Sequence, residues 1–221
     1  MKKAVFFDMN ETVLNLSLLQ KQFDKHFNDP YILKYWFTKL LHNSTVMGAM
    51  DEYRNFGELA AVALENIFFE NNKSLSEATK NEILEAFKKL PAYEDVEPVL
   101  HILRNHDIRV IAVSNSSLKM MKEQLTNAGI IDLFDSYYSA DNVKNYKPFK
   151  DIYLLAARQE GLQTEDIVMV ATHDWDLFGA KKAGLTTAYI KRKQEIYHPY
   201  YSPPDFKASN LLDLIQQIIK A

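Results

Sequence analysis

The sequence predicts an α/β protein: a parallel-sheet core with helices on both faces, interrupted early by an all-helical insert. Short apolar runs alternate with amphipathic helical stretches along most of the chain, the order that a helix-covered parallel sheet requires. The stretch from 15 to 91 breaks this alternation, with apolar residues only at helical spacing. At 221 residues, of which 47% are hydrophobic and 25% charged, the chain can bury one sizeable core plus an insert.

The first strand is Ala4-Val5-Phe6-Phe7, four apolar residues stopped by Asp8, as expected of a strand buried on both faces. In the insert, Leu18, Leu19 and Phe23, then Leu59, Ala60, Ala63 and Ile67, mark helices punctuated by Pro30, Gly57 and Asn71-Asn72. Ser74-Leu-Ser-Glu77 resembles a capping box opening a helix through Leu90, with Pro91 as its stop. The core resumes with a helix over Val96 to Asn105, carrying Val99, Leu100, Ile102 and Leu103, and the strand Val110-Ile111-Ala112-Val113. A helix over Leu118 to Ala128, stopped by Gly129, leads to a strand around Tyr137-Tyr138. Helix Ile152 to Gln159 precedes the strand Ile167-Val168-Met169-Val170. Helix Leu177 to Ala183, stopped by Gly184, precedes a weaker strand, Thr186 to Ile190. Lys191 to Phe206, rich in Pro and Tyr, reads as a surface loop, and Ser209 as the cap of a final helix through Lys220. The division expected is a Rossmann-like core of residues 1–14 and 92–221, with a helical cap of residues 15–91.

Composition excludes several functions. Lys plus Arg number 26 against 29 Asp plus Glu, so no broad basic stripe for nucleic acid is expected. Lys191-Arg192-Lys193 reads as a solvated strand end, and His42 and His101 as helix-surface residues. There is no cysteine, so thiol nucleophiles, disulfides and Cys-based zinc sites are excluded. The apolar start is cut by Asp8, too early for a secretory segment, and no run spans a membrane. A cytoplasmic protein is expected, with neither a nucleic-acid nor a membrane partner.

In an open parallel sheet, ligands bind beyond the carboxyl ends of the strands. The first strand is followed by Asp8-Met-Asn10-Glu-Thr12, the second by Ser114-Asn115-Ser116. The third is followed by Ser139-Ala-Asp141 and then Lys147-Pro148, the fourth by Thr172-His173-Asp174-Trp175-Asp176. One Asp or Asn after a strand is ordinarily a turn or cap residue. Polar groups at four strand ends, with a lysine among the aspartates, point to a site.

The Asp-x-x-x-Thr unit, Ser114-Asn115, Lys147-Pro148 and Asp176-x-x-Gly179-Ala-x-x-Ala-Gly184 occur in the order of the haloacid dehalogenase superfamily, which the whole chain resembles. The helical insert matches that family's cap. Within the superfamily the chain is similar to the type II L-2-haloacid dehalogenases. The resemblance implies that Asp8 attacks the halogen-bearing carbon and forms an ester that water cleaves. It further implies that Thr12 holds the nucleophile or its lysine, and that Lys147 places charge near Asp8 and Asp176. Ser114 and Asn115 then recognise substrate or ester oxygen, Asp176 orients or activates water, and Tyr153 bonds Lys147 or another pocket group. The expected substrate is a small organic acid, with no cofactor; a homodimer through the cap helices or the Tyr-rich loop is allowed.

Family phosphatases carry a second aspartate where this chain has Asn10, which cannot protonate a leaving alcohol; a halide needs no such proton. Thr172 stands where they place the first of two acidic residues four apart, ahead of Asp176. A magnesium ion, if bound, would rest on Asp8, the carbonyl of Asn10 and Asp176, a weakened set. The cap arginine of the dehalogenases aligns with Phe37, beside Trp36; both are candidate pocket residues, with Lys34 or Lys39 as substitute cations. His173 replaces an Asn of that family and could position water or act as a base. The reading is hydrolytic dehalogenation of a small 2-haloacid. Its rivals are a magnesium-assisted phosphatase acting on a good leaving group, and a non-catalytic protein that binds a small anion or a protein.

Overall fold

The computed structural model describes residues 2–221. Six strands form one parallel sheet, β1 (Ala4–Phe7), β2 (Arg109–Ser114), β3 (Ser136–Ser139), β4 (Ile167–Ala171), β5 (Thr186–Ile190) and β6 (Phe206–Ala208), in the spatial order β3-β2-β1-β4-β5-β6. β1 lies at the centre, pairing through Ala4 with Arg109 of β2 and Ile167 of β4. All four of its residues are buried because both faces of the sheet are covered. Val5 and Phe7 pack on one face, against residues of α5 (Val96–Asn105), α6 (Leu118–Asn127) and α9 (Leu211–Lys220). Ala4 and Phe6 pack on the other, against α7 (Asp151–Gln159) and α8 (Asp174–Lys182). From β1 the chain builds the sheet outward to β3, then returns to add β4 on the opposite side. The strand ends diverge at this reversal, which opens a crevice between β1 and β4.

Four helices lie between β1 and α5: α1 (Ser17–Asp24), α2 (Ile32–Ala49), α3 (Phe56–Glu70) and α4 (Glu77–Lys88). They form the expected helical insert. Aromatic rings fill its centre, with Trp36 5.5 Å from Phe23 and 5.4 Å from Phe87 between ring centroids. Asn55 starts α3 with a reciprocal capping box to Glu58, satisfying amides that the first helical turn leaves unpaired.

Several boundaries differ from the sequence reading. α4 starts at Glu77, capped by Ser76 rather than Ser74, and ends at Lys88. Ser76 accepts from the Thr79 amide, which gives the helix its first fixed turn. Asn210, not Ser209, caps α9, its Oδ1 accepting from Asp213 N at 2.8 Å. α8 begins at Asp174, before Leu177. Phe206, placed in a loop by composition, opens strand β6 instead. Three residues with a central lysine carry no strand signal; they are ordered by the free edge of β5, where Ala188 pairs with Phe206.

Candidate active site

The carboxyl ends of β1, β2 and β4 bring together residues far apart in sequence. Asp8 continues β1, with its amide donating to Val170 O of β4 at 3.0 Å. Lys147 is 1% exposed, and its Nζ lies 2.6 Å from both Asp8 Oδ1 and Asp176 Oδ2 while also donating to Val113 O. Asn115 fixes the lysine backbone by accepting from Lys147 N at 2.7 Å. Thr12 donates to Asp8 Oδ2 at 2.7 Å and accepts from Thr172 N, tying the β1 and β4 ends together. Tyr153 donates to Asp176 Oδ1. The tyrosine therefore holds Asp176 rather than Lys147.

His173 completes the set. Its Nδ1 lies 3.0 Å from Asp8 Oδ2 and its Nε2 3.0 Å from Glu11 Oε2. Both partners are carboxylates, so a doubly protonated ring satisfies both contacts. Lys193 pairs with the other oxygen of Glu11. The result is an alternating row of charges, Asp176–Lys147–Asp8–His173–Glu11–Lys193, running from the interior to the surface.

This alternation sets the protonation states. Burial opposes ionisation of Asp8, but Lys147 and then His173 outweigh it and hold the carboxyl well below the usual range. Burial pushes Asp176 up and the charge of Asp8 adds to the effect, against the pull of Lys147. Burial also opposes charge on His173, yet its bonds to Asp8 and Glu11 win, raising it to about 9. Glu11 is lowered by His173 and Lys193 in spite of burial. Lys147 stays charged because Asp176 and Asp8 overcome its desolvation.

Asp8, Asn10, Ser114, Asn115 and Lys147 line the core side of a small, nearly filled chamber of about 10 Å³; Phe37, Leu41 and Phe56 line its cap side. An open vestibule of about 490 Å³ lies beyond, bordered by Glu11, Lys34 and Lys193 among others. Phe37, Leu41, His173 and Trp175 border both spaces, so they form the neck between them. The His173 ring centroid is 6.1 Å from that of Phe37 and 5.2 Å from that of Trp175.

Most predicted residues converge here, but Trp36, Tyr153, Asp176 and Lys39 border neither space. Trp36 is fully buried in the helical insert, donating to Ala60 O, and borders neither space. Asp176 is fully buried behind Lys147 and also borders neither, so no water in the chamber meets it directly. Lys39 pairs with Glu70 at the surface, while Lys34 borders the vestibule and pairs with Glu195. Asn10 is in the chamber wall, its side chain donating to Ser116 Oγ and accepting from Gln124.

The donor set does not fit a magnesium ion held by Asp8, the Asn10 carbonyl and Asp176. The ammonium of Lys147 occupies the space between the two carboxylates, Asp8 Oδ2 is taken by Thr12 and His173, and Asp176 Oδ1 by Tyr153. Adding a dication would place it against two cations with few free oxygens.

A family model for haloacid dehalogenase-like hydrolases matches residues 2–184. The chain belongs to the haloacid dehalogenase-like hydrolases. Among relatives of this hydrolase, the (S)-2-haloacid dehalogenase of Pseudomonas sp. (strain YL) is 26% identical, over 97% of this chain and 93% of that protein. Haloacetate dehalogenase H-2 of Moraxella sp. (strain B) is 27% identical, over 99% of each. A solved dehalogenase in an intermediate complex is 26% identical with a TM-score of 0.92, covering 98% of this chain and 96% of that one.

Glu11, Arg192 and Lys193 were not read from the sequence as site residues. Arg192 is not a solvated strand end: it forms a two-pronged pair with Asp95 and donates to Thr12 O behind the site. Lys193 reaches Glu11. The signal was available, since this basic run directly follows β5 and so occupies a strand end like the other site residues.

Proposed function

We propose that this hydrolase removes halide from a small 2-haloacid through an ester on Asp8. The observation that carries the reading is Asp8 itself: an ionised, desolvated carboxylate facing a chamber, held in position by Lys147, Thr12 and His173. Such a carboxylate attacks carbon directly. Halide departs without a proton, so Asn10 is no handicap at the position where an acid would serve an alcohol. The names of the relatives, a 2-haloacid and a haloacetate dehalogenase, support the same class. Magnesium-assisted phosphate transfer fits less well, because Lys147 occupies the space between the acidic groups.

The test is halide release from chloroacetate, 2-chloropropionate and fluoroacetate without metal, beside phosphate release from aryl and acyl phosphates with magnesium. Halide release that disappears in Asp8→Asn is the expected result. Metal-dependent phosphate release without halide release refutes the reading. Silence in both assays favours a binding protein.

A further inference from the structure

We infer that Arg192, braced by Asp95, is a positioning residue for Asp8, acting through Thr12 and holding it in line while the cap moves. The inference rests on the ester reading above and concerns its first half, the attack on carbon.

The Arg192 side chain is 8% exposed, so its charge and its N–H groups have to be met inside the protein. Nη1 and Nη2 donate to the two oxygens of Asp95 at 2.8 and 2.7 Å, and Nε donates to Thr12 O at 3.2 Å. The guanidinium carbon lies 4.1 Å from the centroid of the Tyr93 ring. One planar group thus joins the chain after β5, the turn after β1 and the stretch that leads from the cap back to α5. A forked donor suits this place, because it meets a carboxylate and a carbonyl together; the point charge of a lysine does not.

An ion pair by itself would only join β5 to α5. The bond from Nε is what points to Asp8. Thr12, Val13 and Leu14 all donate their amides to Met9 O, which makes one tight turn after β1. In this turn Thr12 Oγ1 donates to Asp8 Oδ2 at 2.7 Å while the Thr12 carbonyl rests on Arg192. Tilting that peptide swings the hydroxyl off Asp8. Thr12 and His173 both occupy Oδ2, whereas Oδ1 has Lys147, so the lone pair left for attack is on Oδ1. Without the Thr12 bond the carboxylate can turn, and that lone pair leaves the line of approach to carbon.

The linkers show why a brace is needed. Core and cap are joined by two stretches that pair with each other: Tyr93 N donates to Val13 O at 3.0 Å, Asn15 N donates to Pro91 O at 2.8 Å, and Leu14 bridges to Ala92. At about 10 Å³ the chamber has room for no more than about one water, so the cap has to shift on these linkers to admit substrate. Thr12 stands at the core end of one linker and Asp95 at the core end of the other. Asp95 is itself fixed to the core, accepting from Leu211 N at the start of α9 at 3.0 Å. Arg192 grips both ends, so the bending falls beyond them and Thr12 stays on Asp8.

Arg192→Lys and Asp95→Asn, each made with Thr12 present and with Thr12→Val, test this. Rapid-quench halide release from 2-chloropropionate gives the single-turnover burst, steady-state rates give kcat and KM, and circular dichroism verifies folding at the assay temperature. The expected result for Arg192→Lys is a burst slowed about 10–10²-fold with KM nearly unchanged. With Thr12→Val the hydroxyl is already gone, so Arg192→Lys should slow the burst no further; an arginine that serves only the fold slows both backgrounds alike. Asp95→Asn keeps Arg192 but loosens its brace, and should show the same defect to a smaller degree; it carries the test if Arg192→Lys does not fold. A burst at the wild-type rate in the folded variants, or equal slowing with and without the Thr12 hydroxyl, overturns the inference. Wild-type protein that releases no halide from any haloacid instead overturns the ester reading itself.

Discussion

Replacing Lys147 with methionine should destabilise the protein strongly, and more at neutral than at acidic pH. Lys147 Nζ is 2.6 Å from each of two buried carboxylates. Methionine fills similar space but leaves Asp8 and Asp176 facing each other without a cation. Removing one partner of a buried ion pair typically costs about 3–5 kcal/mol. For a domain of this size each kcal/mol lowers Tm by roughly 2–4 °C, so a fall of about 6–20 °C is expected near pH 7. In the wild type, the lowered carboxyl of Asp8 stabilises the fold above its unfolded value of about 3.9 and keeps doing so until pH falls through its far lower folded value. In the variant, burial and like charge raise at least one of the two carboxyls, so its penalty grows as pH rises above about 4. The two melting curves should therefore converge on acidification. Calorimetry from neutral pH to about pH 4 reads the difference. An unchanged Tm at neutral pH, or a gap independent of pH, would refute the charge row.

Three further outcomes follow from the same site. His173 is raised from 6.5 to about 9, so its contribution, on the order of 3 kcal/mol, is complete below pH 6.5 and lost as pH rises through about 9; denaturant titrations of wild type and His173→Gln should converge over that window, and parallel curves would contradict it. Phe37→Ala should widen the chamber and raise activity on longer 2-haloacids relative to haloacetate, at a stability cost of about 3–5 kcal/mol; an unchanged chain-length preference counts against Phe37 as the limiting wall. Chelation with EDTA should leave halide release unaltered, and added magnesium should leave Tm unaltered, since the donor set does not fit the ion; a rise in either quantity with magnesium would show that Lys147 yields its place.

Local pattern was enough to find Asp8, Thr12 and Lys147, because each follows a strand or a short motif whose order can be read along the chain. It also identified the central strand, since a run of four apolar residues has few other folded uses. Pattern failed where the cause lay elsewhere in the chain. β6 exists because β5 offers it an edge, and Trp36 faces the helical insert rather than the chamber because Phe23, Phe87 and Ala60 surround it.

The sequence alone determined the kind of chemistry available: no thiol, an aspartate at a strand end, and an asparagine where an acid could have stood. Only the tertiary structure decided which charges meet. Glu11, His173 and Lys193 are separated by up to 182 positions, yet they form one row with Asp8 and Lys147. Ionisation in a buried site depends on the distance to neighbouring charges and on the exclusion of water. Both are properties of the packed chain, so the protonation of Asp8 and His173, and the sealing of Asp176 from the chamber, could not be read along the sequence.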